Sequence, residues 1–228
     1  MPSPENNKPM KIKVCGMREP ENIKALAALP VDMVGFIFYA RSPRFAEGKL
    51  AKWLAKEGAV LEGKKRVGVF VNAEVEDVLN HVHDFELDFV QLHGNESPEY
   101  CQLLRNLWET TSMRKAKLIK AFPVDEDFDF EVVSPYTAHC AYFLFDTKGK
   151  EFGGTGQQFD WSLMGGYRGV TPFLLSGGIG PDAVDALLAF RHPQLYGIDI
   201  NSRFEVKPGL KDMEKIAQFI TALKQPTT

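Results

Sequence analysis

The sequence predicts an α/β protein folded as a single (β/α)8 TIM barrel. Eight short apolar, β-branched or aromatic runs alternate with helix-like stretches along the 228-residue chain, spaced roughly 20 to 35 residues apart. Most of these runs are continuous rather than alternating in and out, as strands covered on both faces are. No glycine-rich dinucleotide turn follows the first run, which weakens the rival doubly wound open sheet. No Ser/Gly-rich linker or composition break marks a second domain, so residues 11–228 read as one catalytic barrel domain behind a loose N-terminal tail, residues 1–10.

Each element follows from local chemistry. Strand Lys11–Cys15 leads to a helix over Pro20–Leu29, whose proline sits in the first turn, where its missing N–H costs nothing. Strand Met33–Tyr39 precedes helix Glu47–Lys56, Arg66–Val71 precedes Val75–His83, and Phe89–His93 precedes Pro98–Thr110 with Ser97 as its cap. Leu118–Phe122 and Tyr142–Asp146 are followed by weaker signals, the acidic and aromatic Glu126–Tyr136 and the very short Asp160–Met164. Phe173–Ser176 precedes Pro181–Phe190, and Gly197–Ile200 precedes Met213–Leu223, capped by Asp212. Trp53, Trp108 and most phenylalanines read as core.

With 27 basic against 30 acidic side chains and a formal charge of -3, the chain lacks the basic excess of a general nucleic-acid binder. No run approaches the roughly 20 apolar residues of a membrane span. Met1–Pro9 is polar, without an apolar signal core, so a cytoplasmic location is expected. Cys15, Cys101 and Cys140 form no CxxC pair and the histidines are scattered; free thiols and no metal site are expected. The partner implied is a small molecule, not nucleic acid or membrane. The apolar helix faces are needed to cover the barrel, so monomer and homodimer both stay open.

In this fold the active site lies at the C-terminal ends of the strands. Those positions hold Cys15, Tyr39 with Arg41 and Arg44, Asn72, Gln91 and His93, Lys120, Asp146, Ser176, and Asp199 with Asn201, Ser202 and Arg203. Three segments after the late strands suit phosphate: Gly153-Gly154-Thr155-Gly156, Ser176-Gly177-Gly178, and Asn201-Ser202-Arg203. Glycines let backbone N–H groups approach an anion, and the turns after strands seven and eight are the fold's usual phosphate site. Cys15 is either core packing or a reactive thiol, the latter needing positive charge nearby. Asp146 closes an apolar run and either faces water or puts its proton to use. Asp199, between two isoleucines, reads as a buried structural carboxylate that orients loops; Cys101 and Cys140 read as structural. Arg44 is either a surface residue or a fork for a carboxylate or phosphate.

Lys13-Val14-Cys15-Gly16-Met17, Gly35-Phe36-Ile37-Phe38-Tyr39 with Ser42-Pro43-Arg44, Val67-Gly68-Val69-Phe70-Val71-Asn72 and Val90-Gln91-Leu92-His93-Gly94 follow one another along the chain. Asp146 with Gly153–Gly156 and Phe159-Asp160-Trp161, then Leu175-Ser176-Gly177-Gly178-Ile179, then Asp199–Glu205 with Pro208–Asp212, complete the series. In this order they resemble the phosphoribosylanthranilate isomerase family of tryptophan biosynthesis, over Lys11 to about Leu223. The resemblance implies a TIM barrel performing the Amadori rearrangement of a phosphosugar, N-(5-phosphoribosyl)anthranilate, with no metal or organic cofactor. It implies Cys15 as general base and Asp146 as general acid, with Arg44 receiving the anthranilate carboxylate. Gly154, Gly156, Gly177, Gly178, Ser202 and Arg203 are implied for the phosphate.

Two positions depart from the family. Arg203 stands where many relatives carry glycine, either touching phosphate or turning outward. Arg18 stands where a small hydroxyl residue is frequent, either helping a Cys15 thiolate or solvated. A catalytically silent phospho-ligand-binding barrel is the alternative; the joint presence of Cys15, Asp146 and Arg44 argues against it.

Overall fold

The computed structural model describes residues 9–46, 48–110, 115–147 and 161–224. In it β1 (Lys11–Val14) pairs in parallel with both β2 (Met33–Ile37) and β8 (Leu195–Ile200), and this double pairing closes the sheet. β3 (Lys65–Phe70), β4 (Phe89–Leu92), β5 (Lys117–Val124), β6 (Tyr142–Thr147) and β7 (Phe173–Ser176) complete a closed eight-stranded barrel in chain order. The helices are α1 (Pro20–Ala27), α2 (Gly48–Glu57), α3 (Val75–Asp84), α4 (Pro98–Thr110), α5 (Val184–Ala189) and α6 (Met213–Lys224). A small antiparallel hairpin, β9 (Glu205–Lys207) with β10 (Leu210–Lys211), follows β8 at the mouth.

The predicted strands run slightly past four of the observed ends, because the chain turns there while still bonded to its neighbour. Cys15 N donates to Ile200 O at 2.9 Å, Phe38 N to Val69 O at 2.8 Å, and His93 N to Phe70 O at 2.8 Å. Both predicted caps form: Tyr100 N donates to Ser97 Oγ at 3.3 Å, and Lys215 N to Asp212 Oδ1 at 3.0 Å. The weak stretches after β5 and β6 are 3₁₀ turns, Phe130–Tyr136 and Trp161–Gly166. The predicted helix over Pro181–Phe190 splits into the 3₁₀ turn Pro181–Ala183 and the short α5. Most of the N-terminal tail lies outside the described residues.

Strand alternation sorts side chains into two cores. Met33, Val67, Phe89, Ile119, Ala121, Leu144 and Leu174 fill the barrel itself. The adjacent residues on β2 and β6, Val34 and Phe143, join the larger cluster between sheet and helices, with Leu104 and Trp108 of α4 and Phe219 of α6. Burying each such side chain contributes about 1.5–3 kcal/mol. The apolar plug closes one end of the barrel, so polar interior residues collect toward the other.

Candidate active site

A cavity of about 220 Å³ opens at the C-terminal ends of the strands. Cys15, Gln91, His93, Asp146 and Asp199 line it, together with the turns 176–179 and 201–203. A larger hollow of about 580 Å³ lies near the start of β3, away from the C-terminal strand ends, and its Arg66 is bound to Glu86 at 2.9 Å.

Cys15 follows β1 directly and is only 4% exposed. Gly35 of β2 makes room for it, since a Cβ there would lie 3.0 Å from Cys15 Sγ. Two residues earlier, Lys13 also faces the interior and is fully buried. Its Nζ donates to Asp199 Oδ2 at 2.7 Å, and Asp199 is its register partner on β8. The Lys13 charge also acts on Cys15. Burial pushes the Cys15 thiol above its ordinary value, Lys13 and Lys211 pull it down, and Asp199 adds to the rise. The group therefore rests as a thiol near neutral pH. Burial alone would strip the Lys13 proton, but Asp199 and Cys15 hold it and raise the pKa above the ordinary lysine value.

Asp146, on β6, faces the cavity half-exposed, and His93 Nε2 lies 3.3 Å from its Oδ2. Gln91 Nε2 meets His93 Nδ1 at 2.9 Å. This contact orients the imidazole so that its Nε2 faces Asp146.

Arg44 is no free surface residue. Its Nε and Nη2 grip Glu205 of β9 at 2.9 and 2.7 Å, and this pairing raises the guanidinium pKa further. Lys211 of β10 donates to the same carboxylate at 2.7 Å and to Asn201 Oδ1 at 2.6 Å. Burial opposes the Glu205 charge, yet the bonds from Arg44, Lys211 and the Gly209 N–H outweigh it and hold the carboxyl below its ordinary value. One carboxylate thus ties the loop after β2 to the hairpin after β8.

Gly177 and Gly178 have φ of 93° and 61°, backbone that only glycine adopts freely, and with Ser202 they line the cavity. Arg203 also lines it; its side chain is 56% exposed and lies 3.6 Å from Asp182. Gly154 and Gly156 lie outside the described residues.

Four sequence expectations need correction or refinement. Lys120 is not in the cavity: its Nζ is buried against Glu96 at 3.2 Å and Gly94 O at 2.8 Å. Asn72 is likewise a brace, with Oδ1 accepting from Asn95 N at 2.7 Å. Arg18 bonds Glu19 at 3.1 Å and Pro43 O at 3.0 Å, and the cations acting on Cys15 are instead Lys13, Lys211 and Arg44. Asp199 is buried as expected, but it serves Lys13 rather than a loop and it lines the cavity. Cys101 and Cys140 are both buried, and neither lines the cavity. The sequence reading gave Glu205 and Lys211 no task. Their signal was two opposite charges bracketing the Lys207–Gly209 turn.

The geometry invites comparison with known proteins. Residues 12–222 match the family model described as N-(5'phosphoribosyl)anthranilate (PRA) isomerase. The N-(5'-phosphoribosyl)anthranilate isomerase of Parabacteroides distasonis is 50% identical over 217 residues, covering 95% of each chain. The crystal structure of phosphoribosyl anthranilate isomerase from Thermotoga maritima superposes with a TM-score of 0.76 at 32% identity, over 94% of this chain and 98% of that one. Another such isomerase, solved with reduced 1-(o-carboxyphenylamino)-1-deoxyribulose 5-phosphate, gives a TM-score of 0.73 at 30% identity, over 94% of this chain and 98% of that one. A match running from β1 into α6, on a barrel whose mouth gathers a thiol, a carboxylate and paired glycines, leaves one conclusion: this chain belongs to the N-(5'-phosphoribosyl)anthranilate isomerase family.

Proposed function

We propose that this chain converts N-(5-phosphoribosyl)anthranilate to 1-(o-carboxyphenylamino)-1-deoxyribulose 5-phosphate in tryptophan biosynthesis, with Cys15 as general base and Asp146 as general acid. The observation that carries the assignment is their convergence, from β1 and β6, on one cavity that also holds the Gly177-Gly178 and Ser202 turns. Protonated Asp146 delivers its proton to the furanose ring oxygen while the anilinic nitrogen lone pair breaks the C1–O bond, giving an open-chain iminium. That cation acidifies the C2–H. The Cys15 thiolate removes this proton and the electrons neutralise the iminium to an enolamine; return of that proton at C1, with the C2 hydroxyl proton passing to the Asp146 carboxylate, leaves the C2 ketone and restores both groups. Each transfer is worth about a hundredfold to ten-thousandfold.

Gly177, Gly178, Ser202 and Arg203 receive the phosphate in this reading, with Gly154 and Gly156 contributing from outside the described residues. Arg44, already oriented by Glu205, turns its remaining Nη1 to the anthranilate carboxylate. Residues 11–228 act as one catalytic domain, and the partner is a small phosphosugar. The test is the loss of anthranilate-type fluorescence on adding freshly made phosphoribosylanthranilate, in the presence of a chelator. Chelator-resistant turnover that collapses in Cys15→Ser and Asp146→Asn supports the assignment; folded protein that binds phosphate analogues without turnover favours a silent barrel instead.

A further inference from the structure

Resting on the reading of Cys15 as the base, we infer that Lys13 is the positioning residue that makes the Cys15 thiolate attainable, by holding an ammonium inside the barrel two residues away on the same interior face of the chain. Lys13 has no exposed surface at all, and a lysine is almost never so placed without a partner. Its partner, Asp199, lies at 2.7 Å on the adjoining strand, but the match is incomplete: Asp199 Oδ1 is buried without a hydrogen-bond partner among the described residues. A buried ion pair is weak evidence for stability, because apolar residues of equal volume commonly serve as well. The Lys13 ammonium donates to Asp199 and stands two residues from Cys15 on the same interior face of the chain. The pair therefore fixes a positive charge inside the barrel near the residue that must ionise.

The other charges around the sulfur do not replace it. Lys211 of β10 and Arg44 of the loop after β2 act on Cys15 through space, and both are bound to the single carboxylate of Glu205. Asp199 of β8 opposes thiolate formation. Lys13 alone among these cations lies on β1, two residues from the thiol. Its single positive charge serves two potential counter-ions, the Asp199 carboxylate and the Cys15 thiolate, and each weakens the claim of the other.

The two partners predict shifts of opposite sign. Alkylation of Cys15 by iodoacetamide, followed by mass spectrometry across pH with Cys15→Ser as blank, reads the thiol titration directly. Lys13→Met should move that titration up by at least about one pH unit, slowing alkylation near pH 7 about tenfold or more. The acid limb of kcat/KM should move with it, while KM changes little. Asp199→Asn, which keeps the lysine and its shape, should move the titration down and speed alkylation. A Lys13→Met thiol titrating at the wild-type pH overturns the inference, and so does slower alkylation in Asp199→Asn. The latter variant decides alone if Lys13→Met does not fold. Titrations that shift as expected in an enzyme whose Cys15→Ser variant still turns over uphold Lys13's hold on the thiol and remove Cys15 from the role of base.

Discussion

His93 Nε2 stands 3.3 Å from Asp146 Oδ2, across two strands that are not neighbours in the barrel. The imidazole is itself oriented by Gln91, so a relay of side chains sets the direction of the carboxyl group. Removing the carboxyl should cost far more than removing its support. Asp146→Asn is expected to lower kcat at least about a hundredfold, and His93→Asn about tenfold with KM nearly unchanged. Steady-state kinetics on both variants, with circular dichroism to confirm the fold, checks the ratio.

Arg44→Ala should act on binding. A charge-assisted hydrogen bond contributes about 1.5–3 kcal/mol, which corresponds to a KM raised about ten- to hundredfold with a smaller change in kcat. A larger fall in kcat than in substrate affinity would place Arg44 in the chemical step instead.

Glu205 gives the fold an acid sensitivity with a definite sign. Its folded pKa is depressed below the ordinary value of 4.5, so its contribution to stability is fully present above that pH and is lost as pH falls through the lower folded value. Urea midpoints should therefore show Glu205→Gln clearly destabilised at pH 7, with the gap to wild type narrowing below about pH 4. A gap that stays constant with pH would remove the carboxylate charge from this account.

Glu96 accepts from Asn72 N at 2.8 Å, Gly94 N at 2.9 Å and Lys120 Nζ at 3.2 Å, all away from the solvent. Truncation to alanine leaves a buried ammonium unpaired and should cost about 3–5 kcal/mol in unfolding free energy. Substrate affinity per folded molecule should change little, because neither Glu96 nor Lys120 lines the cavity.

Arg203 sits at the rim rather than under it. Arg203→Gly is expected to raise KM several-fold at low salt, with the difference fading as salt screens the exposed charge. A KM unchanged at low ionic strength would show that the side chain stays with Asp182.

The barrel was readable because eight parallel strands covered on both faces leave continuous apolar runs, and the caps at Ser97 and Asp212 are local chemistry. Cys15, Asp146 and Arg44 stood out through their strand-end positions and the blocks around them. What the sequence did not reveal is pairing across the fold. Arg44 meets Glu205 across 161 positions and Lys13 meets Asp199 across 186. Alternation shows that Lys13 and Asp199 face inward, but the register that sets them opposite each other exists only once the sheet closes. Lys120 misled for the same reason: its inward strand position was clear, while its partner Glu96 lies beyond the end of another strand. The acidic, aromatic stretch after β5 tightened into a 3₁₀ turn because Pro135 and a run of β-branched residues favour no longer helix.

The Lys13–Asp199 pair spans the seam where the first strand meets the last. A chain emerging from the ribosome makes residue 13 early and residue 199 near the end, so for most of synthesis the lysine has no counter-ion with which to enter an apolar interior. The lysine gains its counter-ion only when the eighth strand has paired with the first, so the pair forms in the same step that closes the barrel.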